Sequence, residues 1–141
     1  MFETHPQPYA VVLFTNYYDE AVGSREYEVA MHIAELSKEF GAKFVVYGAQ
    51  ASPSVLTAGK LPVVSFDAKA KARCAIGQME GVNLIALEPA FLYQNFVKHT
   101  PVAKLGDGTI QFQLPLPGDV KLHMIDGDQI GDAVKAVLDK V

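Results

Sequence analysis

Lys69 follows Ser65 by four residues, a step of one helical turn. If Ser65 is helical, its hydroxyl and the Lys69 ammonium share a face. If Ser65 is instead the N-cap, Lys69 is a surface lysine. A serine hydroxyl is short and far less acidic than a phenol, so it makes a poor proton donor even beside a lysine. Lys69, Lys71 and Arg73 form the densest basic group, but alternate positions on a helix point apart, so a solvated surface is expected. Cys74 is the single cysteine, which rules out an intramolecular disulfide and a cysteine-based zinc site. Flanked by Ala72, Ala75 and Ile76, it reads as a small buried hydrophobe. His5, His32, His99 and His123 show no metal-ligand spacing, and no metal is expected.

These residues need elements to position them. Val11 to Phe14 is a continuous apolar run, the pattern of a strand buried on both faces of a parallel sheet. Thr15 and Asn16 close it, either lining the cleft where ligands of open α/β sheets gather or hydrogen-bonding the strand end. Ser24 to Phe40 reads as a helix with an apolar stripe at Val29, Ile33, Leu36 and Phe40. Ser24 is the cap and Gly41 the left-handed stop. Lys43 to Tyr47 is a second buried strand. After a loop over 48–64, Ser65 caps or opens a helix to about Gln78, Gly81 turns the chain, and Val82 to Leu87 is a third strand. Two strand–helix–strand units predict an α/β fold with a parallel sheet.

Beyond Pro89 the pattern changes. Phe91 to Val97 reads as a short helix, Gly106-Asp107-Gly108 as a turn, and Thr109 to Leu114 as a half-exposed strand. Lys121 to Ile125 is a last strand, and Asp126 opens a helix with Ile130, Ala133, Val134, Val137 and Leu138 on one face. The reading is one domain over 1–141: a sheet core over about 9–88, an irregular lobe over about 89–125 and a closing helix over 126–141. Tyr17, Tyr18 and Tyr93 either line a pocket or pack against other aromatics.

At 141 residues and a formal charge of −4, the chain lacks the basic patch that nucleic acid demands. No apolar run is long enough for a bilayer, and the N-terminus MFETHPQPYA lacks a signal-peptide pattern. A cytoplasmic protein is the expectation.

Thr15-Asn16-Tyr17-Tyr18, Ser65-Phe66-Asp67-Ala68-Lys69, Glu88-Pro89-Ala90-Phe91 with Asn95-Phe96, Gly106-Asp107-Gly108-Thr109, and Met124-Ile125-Asp126 with Asp128-Gln129-Ile130-Gly131 occur in this order. As an ordered set they resemble the NmrA-like family, atypical relatives of the short-chain dehydrogenase/reductases, from about residue 9 to the end. The resemblance implies a Rossmann-like fold, here a partial one: a parallel sheet flanked by helices, with a small irregular C-terminal lobe. It also implies NAD(P) as the cofactor, Lys69 as a ribose contact, Thr15 and Asn16 on the cofactor cleft, and Pro89, Ala90 and Phe91 as the elbow facing the nicotinamide. The elbow residues equally read as simple strand termination by proline. In such reductases a Tyr-x-x-x-Lys pair does the proton chemistry. Ser65 and Lys69 hold those positions here, and the helper hydroxyl is missing from Gly48-Ala49-Gln50.

The strand at Val11 resembles the family's fourth strand, and no G-x-G-x-x-G turn occurs in the sequence. The chain therefore reads as N-terminally truncated, with weak NAD(P) binding. The leading functional expectation is a regulatory or interaction module without competent reductase chemistry, which self-associates or binds a protein partner at an exposed sheet edge. The alternative is an NAD(P)H-dependent oxidoreductase or isomerase acting on a small molecule, perhaps completed by another chain. A third reading is a fragment of a longer enzyme.

Overall fold

A computed structural model describes residues 7–98, 102–114 and 116–141, so His5, His99 and Pro115 lie outside the described residues. The chain divides into two compact units, one ending at Glu88 and the other spanning Pro89–Val141.

In the first unit, β1 (Ala10–Leu13), β2 (Phe44–Gly48) and β3 (Asn83–Leu87) form a three-stranded sheet in that order. Both pairings are parallel, with Val11 opposite Val45 and Val46 opposite Ile85. A 3₁₀ turn (Gly23–Arg25) leads into α1 (Glu26–Glu39), the crossover from β1 to β2. The short α2 (Pro53–Leu56) and the longer α3 (Val64–Gly77) make the crossover from β2 to β3. This is the α/β, parallel-sheet architecture that the strand–helix alternation predicts, and it agrees with the partial Rossmann-like fold that the resemblance implies. Gly41, at φ +74°, supplies the left-handed stop after α1, and Gly81, at φ +81°, turns the chain into β3.

The central strand takes almost all the burial: Val45, Val46 and Tyr47 have 1%, 0% and 0% of their surface exposed. On one face Leu13 and Tyr47, paired in register, pack with Ala30, Ala34, Ala72 and Ile76. The flanking strands depart from the expectation of burial on both faces. Val12 is 48% exposed and Phe14 43%, because β1 has a hydrogen-bonded neighbour on one side only among the described residues.

The face α1 buries also differs from the apolar stripe. Glu26, Ala30, Ala34 and Ser37 are buried, while Val29, Ile33 and Leu36 are half-buried and Phe40 is exposed. Alanines let α1 approach α3 and the sheet closely, which a row of branched side chains would prevent. The Ser37 hydroxyl donates to the Ile33 carbonyl at 2.7 Å, so its polarity is satisfied within the helix. Ser24 lies inside the 3₁₀ turn, and α1 has no side-chain cap.

In α3 one open alternative is settled and two expectations are corrected. Its N-cap is Val63, so Ser65 is helical and stands one turn before Lys69 on the same face. Cys74 is exposed, because its neighbours in sequence, Ala72 and Ile76, turn inward while it turns out. Lys69 is not solvated, as described below.

In the second unit β4 (Phe91–Leu92) pairs in parallel with β7 (Met124–Ile125), and β5 (Val102–Lys104) pairs antiparallel with β6 (Ile110–Phe112). The expected helix over Phe91–Val97 is therefore a two-residue strand followed by α4 (Asn95–Lys98). The Phe91 N–H donates to the His123 carbonyl, a pairing with a segment distant in sequence that local propensity does not contain. Gly108, at φ +83°, makes the hairpin turn between β5 and β6. In α5 (Gln129–Leu138) the face of Ile130, Ala133, Val134, Val137 and Leu138 is the less exposed one, as its spacing predicts.

The small-residue face is open to a direct check. Ala34→Leu should lower unfolding stability by about 1–3 kcal/mol through overpacking. Phe40→Ala, at an exposed site, should change it by less than about 0.5 kcal/mol. Urea unfolding midpoints compare the two, and a larger effect at Phe40 would restore the branched stripe as the packing face.

Candidate functional site at the end of the first strand

Four side chains from four elements meet beyond the C-terminal end of β1. Thr15 lies two residues past the strand, Glu26 opens α1, Tyr47 lies on β2, and Lys69 sits in the second turn of α3. The Lys69 ammonium donates to the Thr15 carbonyl at 2.7 Å and to the Thr15 hydroxyl at 2.8 Å, and it forms an ion pair with Glu26 Oε1. The Thr15 hydroxyl in turn donates to Glu26 Oε1 at 2.8 Å. An ammonium has three N–H groups, and here they meet three acceptors.

The cluster is nearly dry. Glu26 is 1% exposed and the Lys69 side chain 15%. A carboxylate stripped of water in this way is tolerable only when paired. Its place in the first turn of α1 adds the favourable field of the helix N-terminus. Two buried polar atoms have no hydrogen-bond partner among the described residues: Glu26 Oε2 and the Tyr47 hydroxyl. Burial pushes the Tyr47 phenol up to about 12. The nearby Thr15 hydroxyl, already committed to Lys69 and Glu26, opposes the rise, and the Glu26 charge adds to it.

The remaining sequence candidates fall out as follows. Asn16 is exposed, and its Oδ1 accepts from the Tyr18 N–H at 3.2 Å, a local turn contact. Tyr17 and Tyr18 pack edge to face at 5.7 Å, with Tyr18 88% exposed. Lys71 lies 4.0 Å above the Tyr27 ring, and Arg73 pairs with Glu88 at the surface. Pro89, Ala90 and Phe91 belong to the second unit, where Phe91 stacks on Phe96 at 5.5 Å. There too the Asp126 carboxyl is held below its usual range, first by the Asp128 N–H and then by the Gln94 amide.

Sequence reasoning found Thr15 and Lys69 but missed Glu26 and Tyr47. The signal for Glu26 was present: it stands in line with Ala30, Ala34 and Ser37 at steps of four, four and three. An acidic residue heading a row of small ones marks the packed face of a helix.

A sequence model of the NmrA-like family matches residues 7–141. The chain belongs to the NmrA-like family. It is thereby an NAD(P)-binding-fold protein, and members of the family generally bind NAD(P). No helix among the described residues is long and apolar enough to cross a membrane. Nor do the described residues hold a group of three or more His, Cys, Asp or Glu side chains able to bind a metal ion.

The cluster makes two quantitative expectations. Lys69→Met strands a buried carboxylate and should cost about 3–5 kcal/mol, whereas Glu26→Gln combined with Lys69→Met should recover most of that. Chemical denaturation of the two single variants and the double variant gives the coupling, and additive losses would mean that the pair is not a unit. Tyr47 sets an alkaline limit. Its folded value, about 12, lies above the unfolded value near 10. The folded state therefore keeps a proton that the unfolded state loses, and stability falls by about 2–3 kcal/mol between those values. Tyr47→Phe should leave stability at neutral pH unchanged or slightly higher, since it removes an unpaired hydroxyl. It should also flatten the alkaline fall, read from melts in steps of pH, and an unchanged fall would assign it to another group.

Proposed function

We propose that this chain is an NmrA-like regulatory or interaction module whose grip on NAD(P) is impaired and which lacks competent reductase chemistry. The observation that carries this reading is the saturation of Lys69. The resemblance makes Lys69 the ribose contact, but its three N–H groups face Thr15 and Glu26. Ser65 stands where a phenolic acid is needed, and Gly48-Ala49-Gln50 offers no helper hydroxyl. A dinucleotide thus fits the residues present poorly. Thr15, Asn16 and Lys69 mark an inherited half-cleft in this reading, and Pro89, Ala90 and Phe91 an inherited elbow within the second unit. The interaction role draws support from apolar side chains exposed in β1 and just past it, where Val12 and Phe14 are 48% and 43% exposed.

One observation favours the enzyme reading: Thr15 and Lys69 meet at the carboxyl end of a parallel strand, where ligands of such sheets bind. An oxidoreductase or isomerase completed by another chain would use that placement.

Calorimetric titration of NADH and NADPH into the 141-residue chain separates the two. Affinity no tighter than about 1 mM is expected. Low-micromolar binding, or NADPH oxidation with a panel of quinones and enones that Lys69→Ala abolishes, would replace the regulatory reading with the enzymatic one.

A further inference from the structure

The 52–63 segment is attached to α3 through a single carboxylate. Asp67 Oδ1 accepts from the Ser52 hydroxyl at 2.6 Å and the Ser54 N–H at 3.1 Å. Its Oδ2 accepts from the Ser54 hydroxyl at 2.6 Å and the Val63 N–H at 3.0 Å. Both ends of the segment are therefore stapled to one side chain. Apolar burial contributes little there, since Val55, Leu56 and Leu61 are 79%, 75% and 64% exposed. A half-open cavity of about 400 Å³ lies along the same stretch, walled by Ala51, Val55, Leu56, Ala70 and Cys74. The hydroxyl of Ser52, followed by that of Ser54, holds the Asp67 carboxyl down at about 2, so it is charged at any physiological pH.

We propose that Ser52 is a phosphorylation site and that its phosphate releases the 52–63 segment from α3. Ser52 directly precedes Pro53 and is extended, at φ −86° and ψ +111°. Ser52 is half-buried beside the exposed Ala51, and its hydroxyl also caps α2 by accepting from the Val55 N–H at 3.1 Å, while its extended backbone is the form that a kinase cleft takes up. A protein kinase that accepts proline after the serine supplies the phosphoryl group from a nucleoside triphosphate. The Ser52 Oγ–H bond breaks and its proton goes to the kinase base. An Oγ–P bond forms to the γ-phosphorus, and the bond from that phosphorus to the bridging oxygen breaks, leaving a nucleoside diphosphate. The product carries about −1.5 to −2 charge in place of a donor hydroxyl. It faces an ionised carboxylate that can only accept. The 2.6 Å contact turns from a charge-assisted hydrogen bond into like-charge repulsion, and the Ser54 and Val63 contacts to the same carboxylate go with it. Arg73 lines the same cavity as Ser52 and, by exchanging its surface pair with Glu88, gives the displaced phosphate a cation.

The test treats the full chain with a proline-directed protein kinase and ATP, maps phosphate by peptide mass spectrometry and follows amide hydrogen exchange. Phosphate is expected at Ser52, absent in Ser52→Ala and reduced in Pro53→Ala, which keeps the hydroxyl. Exchange at the Ser54 and Val63 amides should become about tenfold faster in the phosphorylated chain, with α1 unchanged. Ser52→Asp should imitate this, whereas Ser52→Ala, which removes one bond without adding charge, should move it less. No phosphate at Ser52, or phosphate there with unchanged exchange at Ser54 and Val63, would overturn the proposal.

Discussion

A buried carboxylate governs the first unit. Glu26 is almost without solvent beside a core of Leu13, Val45, Val46, Tyr47, Ile76 and the alanines, so its charge must be met inside the fold. Lys69 meets it from α3, and Thr15 joins both from the end of β1. One charge requirement thereby fixes three elements relative to each other: the first helix, the third helix and the exit of the first strand. The alanine row of α1 makes this possible. Ala30 and Ala34 bring the helix close enough for a short carboxylate to reach the ammonium of its neighbour. Larger residues would hold α1 away and leave both charges wet.

The same interaction explains which parts of the molecule the sequence discloses. Strand–helix alternation and the turn glycines report backbone requirements that each residue carries locally, so the parallel sheet and its crossovers were legible. The apolar stripe of α1 misled, because periodicity counts hydrophobic residues and this helix buries small ones around a charge. Cys74 misled for a related reason: its sequence neighbours are apolar, but a helix places neighbours on different faces. Lys69 and Thr15 were legible as candidates through the resemblance. Their saturation was not, because the third partner, Glu26, is 43 residues away from Lys69 in sequence. In the second unit β4 was invisible, since a two-residue strand exists only by pairing with Met124 and Ile125.

Helix α3 serves two directions at once. Its inner face gives Lys69, Ala72 and Ile76 to the core. Its outer face gives Asp67, which reaches back to the Val63 N–H at the helix start and gathers the serines of the preceding segment. Lys69 and Asp67 stand two positions apart and so point away from each other. The inner anchor is a desolvated pair whose loss unbalances the core. The outer anchor is a half-buried set of charge-assisted hydrogen bonds near the surface, with no desolvated charge pair behind it. Reorganisation of the 52–63 segment is accordingly far cheaper than any movement of α1 against α3, and the two can occur separately.

Those magnitudes also bear on whether Lys69 can serve a ligand. A ribose would have to draw N–H groups away from Thr15 or Glu26. Each neutral hydroxyl it offers is worth about 0.5–1.5 kcal/mol net, and somewhat more against a charged donor. Leaving Glu26 unpaired costs about 3–5 kcal/mol. Against the charged ammonium two ribose hydroxyls, at about 1.5–3 kcal/mol each, roughly match that cost, so tight binding requires other groups to grip the ligand. A pyrophosphate held on backbone N–H groups would be such a grip. Lys69 thus contributes to recognition only as the last contact of a ligand already anchored elsewhere. As the sole contact it remains with Glu26, where it ties α3 to α1 and to the exit of β1.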